Sequence, residues 1–331
     1  MKTLKNWLLI NEYPDHLELR VDDRHIFCLY VLEPNLCRVL IKREGELALS
    51  RTWSIAPQGD VPWSGRDRLS LEGFSLPGYQ LEKHEQQLVV TTECLRVTIH
   101  QPLHLTWEYK NPHGEWLPLA ADRPTSAYLL SPQGEAIAHY QRRYPNEQYY
   151  GLGEKAGDLN RAGRRFEMRN LDAMGYNAAS TDPLYKHIPF TITRRDDVSF
   201  GLFYDNLSSC WLDLGNEIDN YHLAYRRYQA EAGDLDYYLF LGPKVLDVTK
   251  AFVRLTGKTQ FGPKWSLGYS GSTMHYTDAL MLRYNCKSSL HCVSSMTSLA
   301  IRSSSLPATP PSKTSVMSLT GITTKCRNRK S

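Results

Sequence analysis

Short runs of apolar residues, separated by polar turn signals, recur along the first 240 residues of the chain. The turns between them are marked by pairs and clusters such as Pro77-Gly78 and Asn111-Pro-His-Gly114. Many short strands with such punctuation are typical of an antiparallel sandwich and not of alternating strand–helix units. The pattern therefore predicts a mainly β fold with its core between two sheets. Predicted strands cover residues 26–32, 36–41, 87–100, 103–109, 187–193, 200–205 and 235–241.

One helix is predicted after these strands. Its apolar positions recur at helical spacing from Val245 to Leu255, Pro243 suits the first turn, and Gly257 marks the end. A Pro-containing linker follows, and an apolar segment that begins at Trp265 predicts a new strand. This succession places a domain boundary near residue 262.

The charge distribution changes abruptly after Ala279. Residues 1–279 carry 31 Lys and Arg against 35 Asp and Glu, whereas residues 280–331 carry eight Lys and Arg and no acid. This tail holds 12 Ser and six Thr but no Phe or Trp, so it cannot bury enough apolar surface to fold. A basic tail could bind nucleic acid or an acidic membrane, but its charges are scattered and Tyr284 is its one aromatic residue. We expect a disordered tail, with neither nucleic acid nor membrane as a partner.

The N-terminal region and the cysteines bear on the compartment. Only four apolar residues occur together near the N-terminus, at positions 7–10, and no run approaches the length of a spanning helix. A run of four is too short for a secretory signal, which predicts a cytoplasmic location. In that compartment the seven cysteines, which are odd in number, widely spaced and without C-x-x-C spacing, are expected to be reduced thiols. His100 and His104 flank Pro102 in a strand-like stretch, so we expect no zinc site.

Nine short motifs follow one another in order between residues 150 and 269. They read Tyr150-Gly-Leu-Gly-Glu154, Leu159-Asn-Arg-Ala-Gly-Arg-Arg-Phe166, Asn170-Leu-Asp172, Asp182-Pro-Leu-Tyr-Lys-His-Ile-Pro-Phe190, Gly201-Leu-Phe-Tyr-Asp-Asn206, Gly233-Asp-Leu-Asp-Tyr-Tyr238, Leu241-Gly-Pro243, Leu255-Thr-Gly257 and Pro263-Lys-Trp-Ser-Leu-Gly-Tyr269. Together they closely resemble glycoside hydrolase family 31, the family of α-glucosidases and α-xylosidases. Residues 1–140 fit the variable N-terminal sandwich of that family but carry no motif of their own.

The resemblance implies a galactose-mutarotase-like β-sandwich followed by a (β/α)8 barrel. It divides the chain into the sandwich at 1–242, the helix and linker at 243–262, the first barrel strand within 263–279, and the disordered tail at 280–331. Residues 265–272 are expected to form that strand. The chain would therefore hold only the start of a truncated barrel.

The resemblance also implies a chemistry. Family members hydrolyse α-glycosides with retention, using one carboxyl group as nucleophile and another as acid and then base. Both belong to aspartates on later barrel strands, and this chain has no Asp or Glu beyond Asp278, so no catalytic residue is assigned. Substrate contacts are implied for Asp172, whose carboxylate suits a pair of sugar hydroxyls, and for Tyr276, after the first barrel strand. The alternatives are an Asx-turn residue at 172 and an ordinary loop tyrosine at 276.

A frameshift at about Ala279 accounts for the acid-free tail. When the last base of each codon is read with the first two of the next, residues 278–285 permit the string D-A-P-D-A-Q-V-Q. Residues 308–330 likewise permit G-Y-T-S-I-K-N-K-R-Y-V-F-N-W-N-Y-D-K-V-P-Q-P-K. These strings restore acidic and aromatic residues and resemble the next barrel strands of the family. A natural Ser-rich tail is the alternative.

These observations predict an α-glucosidase-type glycoside hydrolase of which this chain is a truncated and inactive part. The parent enzyme would act on an α-linked oligosaccharide or glycoside, without metal or organic cofactor, and would form a homo-oligomer as family members often do. Two alternatives stay open. One is a non-catalytic carbohydrate-binding β-sandwich, and the other is a regulatory protein that binds nucleic acid through its basic tail.

Overall fold

The structure is a computed structural model, and it describes residues 1–267, 269–273 and 299–303. The chain forms two compact units, Met1–Lys258 and Thr259–Ser331. Strands dominate the first unit, as the apolar pattern predicts. They are β1 (Lys2–Thr3), β2 (Trp7–Glu12), β3 (His16–Val21), β4 (His25–Glu33), β5 (Leu36–Lys42), β6 (Arg51–Thr52), β7 (Arg66–Asp67), β8 (Gln80–His84), β9 (Gln87–Thr91), β10 (Leu95–His100), β11 (His104–Lys110), β12 (Trp116–Ala121), β13 (Tyr128–Leu130), β14 (Ile137–Arg142), β15 (Gln148–Gly153), β16 (Arg165–Met168), β17 (His187–Arg195), β18 (Val198–Tyr204), β19 (Cys210–Asp213), β20 (Tyr225–Ala230) and β21 (Leu235–Gly242).

The largest sheet has eight antiparallel strands in the order β15-β17-β18-β21-β5-β4-β3-β2. Its centre is covered on both faces, since every residue of β18 and β21 is buried. A strand without a solvent side needs no alternation of polar and apolar residues. This explains the continuous apolar runs from which β4, β5, β18 and β21 are predicted.

One face of this sheet packs against two smaller antiparallel sheets. The six-stranded sheet has the order β1-β13-β14-β20-β19-β16, and the five-stranded sheet has the order β12-β11-β10-β9-β8. All three sheets contribute to one apolar core, in which Tyr237, Tyr128 and Val97 represent the eight-, six- and five-stranded sheets. The predicted sandwich is confirmed, although three sheets build it where two were expected.

The predicted strand at residues 87–100 is divided into β9 and β10. Between them the Thr92 hydroxyl accepts hydrogen bonds from the amides of Cys94 and Leu95, at 3.3 and 2.9 Å, and reverses the chain. The reversal places β9 and β10 side by side in the five-stranded sheet. The sequence does not predict this turn at Thr92, because Thr is also common in strands.

The other face of the eight-stranded sheet is covered by the predicted helix, which is confirmed as α1 (Val245–Thr256). The Phe252 ring stacks on Phe190 of β17 with centroids 3.9 Å apart. The helix starts after Lys244 and ends at Gly257, whose φ of 86° lies in the left-handed region that favours glycine.

A buried ion cluster fastens the connection between β5 and β8, residues 43–79, to the same face. Arg38 on β5 donates to both carboxylate oxygens of Asp236 on β21, at 2.8 and 2.7 Å. Arg68 of the connection donates to the same carboxylate at 3.0 Å. The three residues are at most 3% exposed. Because each charge is removed from water, none can lose its partners without a large penalty.

The described part of the second unit contains a 3₁₀ helix, Lys264–Leu267, and two parallel strands, β22 (Tyr269–Thr273) and β23 (Leu299–Ser303). The strand predicted at 265–272 therefore begins only at Tyr269, because a helical turn precedes it: the Ser266 hydroxyl donates to the Pro263 carbonyl at 2.8 Å. Strand β23 lies inside the segment predicted to be disordered, and it pairs in parallel with β22. The rest of the predicted tail falls outside the described residues, and the predicted domain division stays a prediction.

Replacing Asp236 by Ala should strongly destabilise the first unit, because two buried guanidinium groups lose the carboxylate they share. We expect the free energy of unfolding in urea to fall by about 3–5 kcal/mol. The matched control is Glu12→Ala, which breaks an exposed ion pair of 2.7 Å with Lys83 and should cost less than about 1 kcal/mol. Equal losses in the two variants would contradict the role of the cluster.

Candidate functional site

Residues 169–186 connect β16 to β17 and carry the predicted substrate contact, Asp172. This connection, called here the 169–186 loop, crosses from the six-stranded to the eight-stranded sheet. It displays large apolar side chains to solvent, since Leu171, Met174 and Tyr176 are 49, 67 and 53% exposed. Exposed apolar side chains gathered on one loop are typical of a surface that contacts another molecule or another domain.

Asp172 lies exposed near the start of the loop. Its carbonyl oxygen accepts a hydrogen bond from the Met174 amide at 3.1 Å, so the backbone turns tightly there. Within the part of the chain that the structure describes, its carboxylate has no hydrogen-bond or ion-pair partner, and the Asx turn considered as an alternative is not formed. Because the carboxylate makes no bond to the described part of the chain, it can accept hydrogen bonds from a ligand.

The base of the loop packs against the segment that follows β15. Ala156 of that segment forms a small apolar cluster with Ala173 and Leu184 of the loop, each 6–7% exposed. The Tyr185 hydroxyl donates to the Ala173 carbonyl at 2.7 Å and fixes the backbone next to Asp172. The loop therefore folds back on the sandwich instead of extending freely into solvent.

The first sequence motif, residues 150–154, contacts the end of this loop through its backbone. At Gly153 the φ angle is 78°, and a Cβ there would lie 2.6 Å from the Lys186 carbonyl oxygen. Only glycine lets β15 approach the end of the loop so closely. Two backbone hydrogen bonds hold the loop here. The Glu154 amide donates to the Lys186 carbonyl at 2.9 Å, and the Gly157 amide donates to the Ala178 carbonyl at 2.8 Å.

A buried lysine joins the two ends of the loop. The Lys155 side chain is 0% exposed, and its ammonium donates to an Asp182 carboxylate oxygen at 2.7 Å and to the Glu167 carbonyl. The second Asp182 oxygen accepts a hydrogen bond from the Glu167 amide. Burial lowers the pKa of Lys155, and the Asp182 carboxylate opposes that change. We call these three residues the Lys155 clamp.

The structure describes one of the two predicted substrate contacts. Asp172 lies in the loop just outlined, whereas Tyr276 falls outside the described residues, so whether the two meet stays a prediction. Sequence reasoning missed Lys155 as a residue that joins the two ends of the loop. The available signal was its place directly after the Gly-Leu-Gly-Glu motif, where a charged side chain requires a partner if it is buried.

Among the described residues, no group of three or more His, Cys, Asp or Glu could hold a metal ion. His100 and His104 are cross-strand neighbours whose rings stack with centroids 4.5 Å apart. In the same part of the chain no helix has the length and apolar character needed to cross a membrane.

Comparison with known proteins connects this arrangement to a family. The model of the glycosyl hydrolase 31 N-terminal galactose mutarotase-like domain matches residues 26–213. α-Glucosidase 2 of Bacillus thermoamyloliquefaciens is 37% identical over 192 residues, which cover 58% of this chain and 23% of that protein. An α-glucosidase of Saccharolobus solfataricus is 35% identical over 130 residues, 39% of this chain and 18% of that protein.

A solved structure agrees with the fold. The GH31 dextranase of Flavobacterium johnsoniae, complexed with glucose, superposes with a TM-score of 0.71 and 21% identity, over 88% of this chain and 33% of that chain. Three antiparallel sheets around one core thus define a galactose-mutarotase-like sandwich domain. The chain belongs to glycoside hydrolase family 31, as its motifs indicated. It spans about a fifth of the curated relatives and a third of the solved dextranase.

Gly153→Ala should destabilise the chain more than Gly163→Ala. Both glycines have a left-handed φ, 78° and 76°, so each substitution carries a backbone penalty of about 1 kcal/mol. A Cβ at Gly153 also meets the Lys186 carbonyl, whereas nothing lies within 4 Å of a Cβ at Gly163. Urea denaturation should therefore show an additional loss of about 1–3 kcal/mol for Gly153→Ala. Equal losses would contradict the close approach of β15 to the loop.

Proposed function

We propose that this chain is the N-terminal, substrate-facing part of a retaining α-glycosidase of the α-glucosidase type. The family match over residues 26–213 carries the proposal, and the α-glucosidases among its relatives support it. The substrates of the whole enzyme are α-linked oligosaccharides or glycosides. Their hydrolysis uses two carboxyl groups and needs neither metal nor organic cofactor.

Within this proposal Asp172 binds the sugar. Its exposed carboxylate accepts hydrogen bonds from two neighbouring hydroxyls, and Tyr276 offers its aromatic face or its hydroxyl to the same sugar. The exposed apolar neighbours Leu171 and Met174 support this role, because a barrel that covers them also removes water from around Asp172. Hydrogen bonds to a carboxylate are stronger in such a low-dielectric site.

We further propose that this chain does not hydrolyse glycosides by itself. Retaining hydrolysis requires two carboxyl groups about 5–5.5 Å apart, and the pair used by the family lies on later barrel strands. The sequence has no Asp or Glu after Asp278, and its composition changes at Ala279 as a frameshift would change it. The shifted reading supplies the missing acidic and aromatic residues, which supports truncation by frameshift over a natural Ser-rich tail.

Cytoplasmic location and self-association complete the proposal. Among the described residues, the thiols of Cys28, Cys37, Cys94 and Cys210 are free, which supports a reducing compartment. A homo-oligomer would form through surfaces of the sandwich and the barrel. Neither nucleic acid nor a membrane is part of the proposed function.

Restoring the reading frame should restore activity. Inserting one nucleotide between codons 279 and 280 produces the shifted frame, and we expect the purified product to release nitrophenol from a p-nitrophenyl α-glucoside. The unshifted chain, purified from a host without α-glucosidases, should give no turnover above the buffer rate. Turnover by the unshifted chain, or a folded restored protein inactive on both α-glucosides and α-xylosides, would contradict the proposal.

In the restored protein, Asp172→Asn should reduce kcat/KM by about 10- to 100-fold, because charged hydrogen bonds to the sugar are worth about 1.5–3 kcal/mol. The control is Asp158→Asn, which alters an exposed carboxylate near the base of the loop and should change kcat/KM less than about twofold. A similar effect of both substitutions would argue against sugar binding by Asp172.

A non-catalytic carbohydrate-binding sandwich is the second candidate. The observation in its favour is that the loop around Asp172 is folded against the sandwich without help from a barrel. Calorimetric titration of the unshifted chain with maltose or isomaltose separates the two candidates. Saturable binding at millimolar affinity or tighter favours the binding domain, whereas no measurable heat favours a site completed by the barrel.

A further inference from the structure

We propose that Lys155 is a positioning residue that holds the 169–186 loop, and with it Asp172, through contacts of the sandwich alone. The purpose of this positioning, presentation of Asp172 to a sugar, rests on the proposed function. The positioning itself does not, and it can be tested on the present chain. Lys155 belongs to the segment after β15 and therefore acts on the loop from outside it.

The contacts of Lys155 join the entry of the loop to its exit. Glu167 lies on β16, directly before the loop, and Asp182 lies shortly before β17 begins. One ammonium donates to the carbonyl of the first and to the carboxylate of the second. The Glu167 amide then donates to the other Asp182 oxygen, which closes a ring of three hydrogen bonds. Both ends of the loop are thus fixed relative to each other.

Burial makes this ring difficult to open. The Lys155 side chain is 0% exposed and that of Asp182 is 17% exposed, and the ammonium lies 5.7 Å from the centroid of the Phe166 ring. An ammonium removed from water keeps its charge only where hydrogen bonds replace hydration. Any loop conformation that withdraws Asp182 leaves this charge unpaired, so such conformations are rare.

A short path leads from the clamp to Asp172. Ala156 directly follows Lys155, Ala173 directly follows Asp172, and the two alanines share one apolar cluster with Leu184. The ammonium that fixes Asp182 also fixes the segment on which Ala173 rests. The backbone of Asp172 is therefore held by contacts that the sandwich supplies, before any barrel covers the loop.

Hydrogen exchange on the present chain tests the clamp in the variant Lys155→Met, which keeps the length of the apolar stem and removes the charge. The reporters are the amides of Glu167, Gly157 and Met174, whose partners lie in or beside the loop. We expect their protection to fall by about tenfold or more, while amides in β18 and β21 change less than about twofold. The control Lys186→Met removes an exposed charge from the same loop and should leave all of these amides unchanged.

Two more variants separate positioning from general stability. Lys155→Arg keeps a buried cation that can donate to Asp182, and it should retain more reporter protection than Lys155→Met. If Lys155→Met does not fold, Asp182→Asn weakens the same ion pair more mildly. It should lower the exchange protection of the same three amides and leave that of β18 and β21 unchanged.

The proposal is overturned if the exchange protection of the reporter amides is unchanged in a folded Lys155→Met or Asp182→Asn variant. It is also overturned if protection falls uniformly, with β18 and β21 included. The same holds if Lys155→Met and Lys155→Arg leave the reporter amides equally protected. No sugar takes part in this experiment, so its outcome is independent of α-glucosidase activity. The proposed function fails separately, if the restored protein folds and is inactive.

Discussion

The centre of the eight-stranded sheet is buried on both faces, and the rest of this structure depends on that constraint. One face forms the common core with the two smaller sheets, and the other is covered by α1 and by the connection between β5 and β8. A sheet buried in this way needs every neighbouring segment fixed in place, because each exposed gap would bring water to apolar strands. The loop that carries Asp172 leads into β17, the second strand from one edge of this sheet, and the segment after β15 holds it through backbone hydrogen bonds.

The connection between β5 and β8 and the 169–186 loop are both held by a buried cation that binds a carboxylate and a backbone carbonyl. Arg38 joins Asp236 to the Arg68 carbonyl, and Lys155 joins Asp182 to the Glu167 carbonyl. Apolar contacts could supply similar stability, but they would tolerate many loop conformations. A buried charge accepts few arrangements, so it restricts the loop that carries Asp172 to few conformations.

The sequence predicts those parts of the fold whose signal is local. The strands β4, β18 and β21 are visible as continuous apolar runs, and α1 is visible from its periodic stripe and Gly257. The division into three sheets is not visible, because it depends on pairings such as β5 with β21 between distant segments. The clamp is hidden for the same reason, since Lys155 and Asp182 are 27 residues apart. Asp172 is recognised only through the family motif, because an exposed aspartate in a loop has no distinctive pattern.

The chain holds the N-terminal sandwich of glycoside hydrolase family 31, and we propose that the catalytic acids are encoded in another frame after Ala279. Sequencing the genomic DNA beyond codon 279 tests this claim most directly. We expect the shifted frame to stay open well past codon 331 and to encode further alternating strands and helices with two aspartates at strand ends. A locus without such a downstream frame, in which the Ser-rich tail is the complete coding sequence, would contradict it.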